Sequence, residues 1–547
     1  MVVRLRHLLI AVAAGLALAD ASVVTLALPD MLVDLHTTVE GVAAVIGVYT
    51  VVLAAGLIPA ERAMRRAGAA RTGAAGLALF AVATLACAAA NSLALLLVAR
   101  VVQALGGAAA LVAAFALLAA GRDARRLWLA AAVLASAVGP ALGGALTQAF
   151  DWRAIFLTQA PVAAAAALAC RTFGSDPNVA YDIGVRPKCR AVPSVALALL
   201  SAALSAVLFL LVLLLVAGWS EEPLRAAVAV TVIPAGALVG ATVRGTLAAR
   251  AAAGCALVGG GVLTLALLPE AQLGWTIAPQ ALAGVGMGMA LPSIAGGLLP
   301  ERTSADAARL LTLRHLGIAA ALAVLAPVVS HDLDAATQRA RERGVALVLD
   351  APFDPLEKVK LAPALLAGVE SRDPRDGLRR AIAEHRGDVG ADERAAYDRL
   401  GRRADETLTT AVGDAFRTAF IVTGALALLA ALLLAGLGGL SPQSGVAVGV
   451  VAMTLAAYAI LHASLAPEPV RLQDPCEHRE LPSAGGIGGF LQDRALELLD
   501  STACRLHASR EELVLALADE GDRRRFEQRH GVDPRSLSSV LGALISG

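Results

Sequence analysis

The chain has 547 residues, of which 57% are hydrophobic, 17% charged and 3% aromatic, with a formal net charge of +1. A water-soluble domain carries about 25% charged residues, so this apolar surplus excludes ordinary globular packing, and it excludes disorder over most of the length. The near-neutral balance excludes a strongly basic nucleic-acid binder, and 51 glycines beside few aromatics suit close helix packing in a bilayer.

Lipid offers a backbone amide no partner, so each apolar run of about 20 residues reads as a spanning helix. Such runs occur at 8–28, 41–60, 72–90, 93–119, 127–149 and 154–171. After a polar linker, 172–193, they resume at 194–217, 224–243, 251–269, 274–298, 306–330, 415–438 and 445–464. Arg4 and Arg6, followed by an apolar run ending Ala17-Leu18-Ala19, have the pattern of a cleaved leader. Apolar residues continue to Pro29, however, giving full membrane length, and the expectation is a retained helix.

Two polar regions remain. Residues 331–414 form a connection far longer than usual, in which "DAATQRARERGVALVL" and "DPRDGLRRAIAEHRG" have helical periodicity with Asp or Asp-Pro starts. The tail, 465–547, also reads helical. Ser509 and Glu512 have capping-box spacing there, and Asp533-Pro534 opens a last short helix.

Charge asymmetry sets the orientation. With the N-terminus in the cytoplasm, Arg4, Arg6, Arg62, Arg65, Arg66, Arg71, Arg122, Arg125, Arg126, Arg171, Arg186, Lys188, Arg190, Arg244, Arg250 and Arg302 fall inside, and the short outer loops hold only Arg153 and Arg225. The inner turn before the thirteenth span has no Lys or Arg, so that span rests on hydropathy alone. Parity then places 331–414 and the tail outside, where Cys476 and Cys504 can form one bridge. Trp128, Trp152, Trp219 and Trp275 sit at span ends, where amphipathic rings belong. No His/Cys cluster has metal-ligand spacing, and no phosphate-binding loop is present, so neither metal nor cofactor is expected.

Asp20 lies about 12 residues into its span, roughly 18 Å from the inner end. A carboxylate at that depth costs on the order of 3 kcal/mol and normally marks function; the blander reading is a structural contact between helices. Arg100 lies about nine residues below Asn91, roughly 14 Å down, at a matching depth in a core about 30 Å thick. Opposite charges at one depth suit a shared polar cavity. A nearby Arg favours the ionised Asp, whereas separation or desolvation favours the protonated one, which a loadable proton site requires. Gln103, one turn from Arg100, can add hydrogen bonds on the same face. Gly139-Pro140 with Gly143-Gly144 interrupts the fifth span and marks a bend. "ALAGVGMGMALP" (281–292) is glycine-studded, but no strand precedes it, so it is no dinucleotide fingerprint. The second-half spans hold no carboxylate; their polar points are Gln280, Arg314, His315 and His462, the last reading as structural.

These segments resemble the major facilitator superfamily, and within it the drug:proton antiporters of the fourteen-span type. "LADASVVTLALP" (18–29) is similar to the first-span motif, and "RVVQALGGAAA" (100–110) to the fourth-span motif, with Ala104 replacing a Gly. "AVGPALGGAL" (137–146) and "DWRAIF" (151–156) resemble the fifth-span antiporter motif and its sequel. "GWSEEPLRAA" (218–227) and "RHLGIAAALAV" (314–324) resemble second-half landmarks. The resemblance implies an all-α membrane protein of two six-helix bundles. These would be residues 1–171, and 194–330 completed by 415–438, with a thirteenth span at 445–464 beyond the pattern. It implies proton coupling by Asp20 and Arg100, a bend at Gly139, Pro140, Gly143 and Gly144, and a cavity between the bundles, with Gln103 and Gln280 as candidate cavity or relay residues. Two departures stand out. The gating loop "ERAMRRAGAAR" (61–71), with Arg65, Arg66 and Gly68, puts Glu61 at the family's first Gly and Arg65 at its Asp. Its second-half echo, "GTLAARAAAG" (245–254), puts Ala249 at the Asp beside Arg250, so both latch acids are missing. The two extra central helices of the fourteen-span type are also absent.

The expected function is not enzymatic. It is proton-coupled export of hydrophobic or amphipathic small molecules across the plasma membrane by alternating access, with substrate, protons and lipid as partners and no nucleic acid. The alternatives are proton symport of a specific solute, and a transport-inactive scaffold acting through the external loop and tail.

Overall fold

The computed structural model describes residues 2–119, 139, 142–173, 190–298, 303–352, 374–387, 389–390, 393–438, 442–477 and 486–536, with five isolated positions between 358 and 368. Outside the described residues lie most of the expected fifth span with Pro140 and Trp128, the linker at 174–189, Arg122, Arg125, Arg126, Arg302, and the last expected helix after 536.

The first half comprises α1 (Val2–Thr25), a short α2 (Leu28–Asp34), α3 (Val39–Ala67), α4 (Ala69–Ala88), α5 (Leu93–Ala119) and α6 (Arg153–Arg171), with 142–149 also helical. The second half comprises α7 (Ala191–Val212), which runs on as a π-helical turn to Gly218, then α8 (Pro223–Val230), α9 (Val232–Thr242), α10 (Leu247–Leu265), α11 (Leu273–Ser293) and α12 (Ser304–Leu349). There follow α13 (Pro374–His385), α14 (Arg394–Gly438), α15 (Pro442–Leu465), α16 (Gly486–Arg505), α17 (Arg510–Ala518) and α18 (Glu520–His530). No strand occurs among the described residues, and eleven of their helical segments are long and apolar enough to cross a membrane. The protein is an all-α, multi-pass membrane protein.

Local chemistry sets the helix ends. The Thr38 hydroxyl accepts from the Gly41 amide (3.2 Å) and caps α3. Gly68, at φ +89°, ends α3 and opens α4 within one residue, which a side chain would resist. Small residues then let the helices touch. A Cβ added at Gly106 on α5 would lie 2.6 Å from the Phe80 amide nitrogen of α4, and one at Gly254 on α10 would lie 2.6 Å from the Gly286 carbonyl of α11. α15 packs Ala447 against Ala253 and Leu257 of α10, while most of its surface is left for lipid. Its Tyr458 hydroxyl donates to the Trp275 carbonyl (2.7 Å), and His462 sits between the Leu268 carbonyl (2.9 Å) and Arg417 (3.0 Å), a structural position.

One helix boundary differs from expectation. "DAATQRARERGVALVL" does not start a helix of its own: α12 is continuous over 46 residues. Asp332 and Asp334 bring no Gly or Pro with them, and the last proline in the helix is Pro327. An acid alone does not stop a helix that has no breaker.

The chain divides into two compact units: 1–217, 221–331 and 416–465 form the first, and 218–220, 332–415 and 466–547 the second. The second has its own small core of Ala503, Ala508, Leu513, Ala516 and Phe526. Arg510, fully buried, meets Asp350 (2.7 Å) and Glu511 (3.1 Å), and Arg341 meets Asp522 (2.7 Å). The Ser509 hydroxyl accepts from the Glu512 amide (3.0 Å). The Asp519 carboxylate accepts from the Asp522 amide (2.9 Å), a bond that holds Asp519 below the ordinary carboxylate range. A disulfide joins Cys476 to Cys504, 28 residues apart. Cross-linking a loop of that length removes about 3–4 kcal/mol of chain entropy from the unfolded state. Reduction should therefore open residues 466–536 to trypsin while leaving cleavage of the membrane helices unchanged; peptide mapping with and without reductant checks this, and identical maps would contradict it.

Candidate functional site

Asp20 and Arg100, from α1 and α5, meet with an Nη1–Oδ2 distance of 2.5 Å, and both are 0% exposed. Neighbouring helices hold the guanidinium. Its Nε donates to the Val45 carbonyl of α3 (3.1 Å), its Nη1 donates to Gln103 Oε1 (2.7 Å), and the Tyr49 ring stacks on it at 4.2 Å. Gln103 passes the network on by donating to the Thr84 hydroxyl of α4 (2.9 Å), which donates to the Phe80 carbonyl (2.6 Å). The Tyr49 hydroxyl donates back to the Ala17 carbonyl of α1 (3.0 Å), and Gln159 of α6 lies beside Asp20. Five helices thus converge on one ion pair.

The first unit also holds a partly open cavity of about 100 Å³. α1 contributes Leu18, Ser22 and Thr25 to its wall, whereas Asp20, on the opposite face of that helix, is not among the lining residues. α12 contributes Arg314 and His315 from the second half, and α7 contributes Ser201 and Ser205. Gln280 lies elsewhere: it is buried within α11 and donates to its own Thr276 hydroxyl (2.9 Å).

The bend residues connect these features. A Cβ at Gly143 would collide with the Val23 carbonyl of α1, one at Gly139 with the Ser22 hydroxyl, and one at Gly144 with Ala227 of α8. The 142–149 helix is therefore wedged between α1 and the second half, and Gln148 accepts from the Leu224 amide (2.9 Å). Close by, the Trp152 indole donates to Asp34 (3.1 Å) and Arg153 pairs with it (2.9 Å). These two contacts hold Asp34 below the ordinary carboxylate range, the Trp152 bond contributing most.

At the other end of α3, the departure in the gating loop acquires a structural meaning. Glu61 is 3% exposed, pairs with Arg65 (3.3 Å) and accepts from the Ser304 hydroxyl of α12 (3.1 Å). An acid one turn earlier than the family's position thus bridges the two halves. Arg66 points to solvent, Gly68 forms the turn, and Arg250 reaches the Ala241 carbonyl (3.5 Å).

Sequence reasoning singled out Asp20, Arg100 and Gln103, and the structure places them together. It did not single out Tyr49, Thr84 or Gln159, because only the rotation of each helix decides which polar side chain meets the pair. Removing one member leaves the other charge buried and alone, so Arg100→Leu should cost about 3–5 kcal/mol, and adding Asp20→Asn should return most of the loss. Thermal denaturation of the two single variants and the double checks this; additive losses would contradict it. Glu61→Ala should loosen the bridge to Ser304 and increase alkylation of a cysteine placed at buried Ala307, one turn further along α12, with unchanged labelling as the contrary result.

The chain matches the family model described as Major Facilitator Superfamily over residues 10–326. It is 35% identical over 167 residues to the methylenomycin A resistance protein of Bacillus subtilis, covering 29% of this chain and 36% of that protein. It is 31% identical over 238 residues to the methylenomycin A resistance protein of Streptomyces coelicolor, covering 42% and 48%. It is 33% identical over 152 residues to the drug efflux pump JefA of Mycobacterium tuberculosis, covering 26% and 30%. The chain thus spans less than half the length of each of these relatives. Among solved structures, a bacterial homolog of the human lysosomal transporter Spinster, inward-facing and occupied, superposes with a TM-score of 0.55 at 14% identity, covering 83% of this chain and 97% of that one. That likeness bears on the fold alone. The family model takes in more than half of the sequence, and the chain belongs to the Major Facilitator Superfamily.

Proposed function

We propose that this chain is a proton-coupled secondary transporter that exports hydrophobic or amphipathic small molecules by alternating access. The observation that carries the proposal is the sealed Asp20–Arg100 pair. A buried ion pair is a poor source of stability, since apolar side chains of similar volume often do as well or better. Its place on the helix that walls the cavity gives it a different use. Protonation of Asp20 removes the charge that holds Arg100, which frees α1 from α5. Ser22 and Thr25 move with α1 at the cavity wall, and Val23 moves with it against Gly143. Loading of one proton thereby reaches both the substrate space and the contact between the halves.

In this reading the N-terminus and the Arg65/Arg66 end face the cytoplasm, and Asp34, the 331–414 region and the tail face outward. Asp30, on α2, has its pKa raised by burial and then by Asp151 and Asp34, which suits a waiting position for an incoming proton. From there the proton reaches Asp20, the halves rock about the cavity, and its release inside restores the pair. The relatives named for resistance and efflux support export as the direction. Gly139, Gly143 and Gly144, packed between α1 and α8, support antiport over symport. The second unit, with its own core and disulfide, is what favours the scaffold alternative.

Asp20→Asn keeps the shape of the side chain and removes its titration. In proteoliposomes it should abolish flux driven by a pH gradient while the variant, destabilised by the stranded Arg100, still folds and inserts; undiminished gradient-driven flux would overturn the role. A parent protein that moves no small molecule under any gradient would favour the scaffold.

A further inference from the structure

We propose that the central cavity selects anionic amphiphiles, a compact apolar body bearing one carboxylate or comparable oxyanion, with Arg314 as the counter-charge. This rests on the export reading above. Arg314 lines the cavity from α12, and no Asp or Glu is among the lining residues. Among the described residues no carboxylate forms an ion pair with its guanidinium. Arg100, the cation at membrane depth in the first half, is neutralised by Asp20, so the two arginines are treated oppositely. An arginine without a counter-ion inside a membrane protein is expensive unless something supplies the missing charge.

The walls supply the rest of an oxyanion site. The Ser201 hydroxyl faces the same space, is buried, and has no hydrogen-bond partner among the described residues. Ser205, on the same helix, and Ser22, across the cavity on α1, add hydroxyls, while Phe209 supplies apolar surface. His315 uses Nδ1 on the Leu311 carbonyl of its own helix (2.7 Å), which leaves Arg314 as the group that answers a charge. A guanidinium fork that shares its cavity with a hydroxyl unpartnered among the described residues fits a planar carboxylate, which the fork can grip through two parallel hydrogen bonds. A cationic amphiphile would meet Arg314 with no acid to offset it. A neutral one would leave the guanidinium unanswered. Export of an anion is also assisted by an inside-negative membrane potential, so the selected charge and the direction agree.

The test uses three probes with one aromatic body: 2-naphthoate, 2-naphthamide and 2-naphthylmethylammonium. Binding is measured by equilibrium dialysis on the full chain in phosphatidylcholine nanodiscs, with flux in proteoliposomes alongside. Naphthoate should bind at least about tenfold more tightly than the amide, and the ammonium weakest of the three. Arg314→Gln should erase that order, Arg314→Lys should keep part of it, and the Gln variant should melt no lower than the parent because it loses an uncompensated charge. Equal binding of the three probes, preference for the ammonium, or an anion preference that survives Arg314→Gln would overturn the inference. If the Gln variant fails to fold, the order of the three probes on the parent decides. Anion-selective binding with flux indifferent to the pH gradient would support this site and sink proton coupling alone. Gradient-driven flux of the amide or the ammonium, with no preference for naphthoate, would leave export standing and sink the charge selection.

Discussion

Two full charges, Asp20 and Arg100, lie out of reach of water, and the helices around them are arranged to make that tolerable. Taking each ion from water costs several kcal/mol, which mutual attraction offsets only with good geometry and further hydrogen bonds. Val45 and Tyr49 supply those from α3, and Gln103, on the helix of Arg100 itself, links the pair to Thr84 of α4. The rotation of α1, α3 and α5 about their axes is thereby fixed from the inside, where lipid-facing alanine and leucine would leave it free. Glycines complete the arrangement by letting α4 and α5, and α10 and α11, approach to backbone contact.

The same constraint makes the pair a suitable switch. A structure whose helix orientations depend on one electrostatic contact responds to the loss of one charge there more than to a similar change at the surface. α1 is the shared element. One face holds Asp20, the opposite face lines the cavity through Ser22 and Thr25, and Val23 takes the close approach of Gly143. At the far end of α3, Glu61 reaches Ser304 and gives the halves a second, polar contact.

Much of this was legible in the residues. Apolar runs give the spans because a membrane leaves the backbone no other option, and Asp20 and Arg100 stand out as charges at equal depth. Gln103 follows from helical spacing. What hydropathy cannot give is the phase of each helix, so Gln159, Tyr49 and Thr84 look like ordinary polar points until their faces are known. Glu61 reads as a departure from a motif, and its use depends on Ser304, 243 positions further on. The border between apolar and polar sequence after residue 330 suggests a helix end, yet helix propensity does not change at that border, and α12 continues through it. Arg314 is visible as a charge, but that no counter-ion meets it among the described residues is a fact of three dimensions.

The central claim is that Asp20 exchanges a proton during turnover. Infrared difference spectroscopy of the reconstituted protein, with Asp20→Asn to assign the carboxyl band, reads that proton directly. The account predicts a protonated-carboxyl band that appears on acidification, is absent from the Asn variant, and diminishes when substrate binds. An Asp20 carboxylate that stays ionised at every pH at which the protein transports would contradict it.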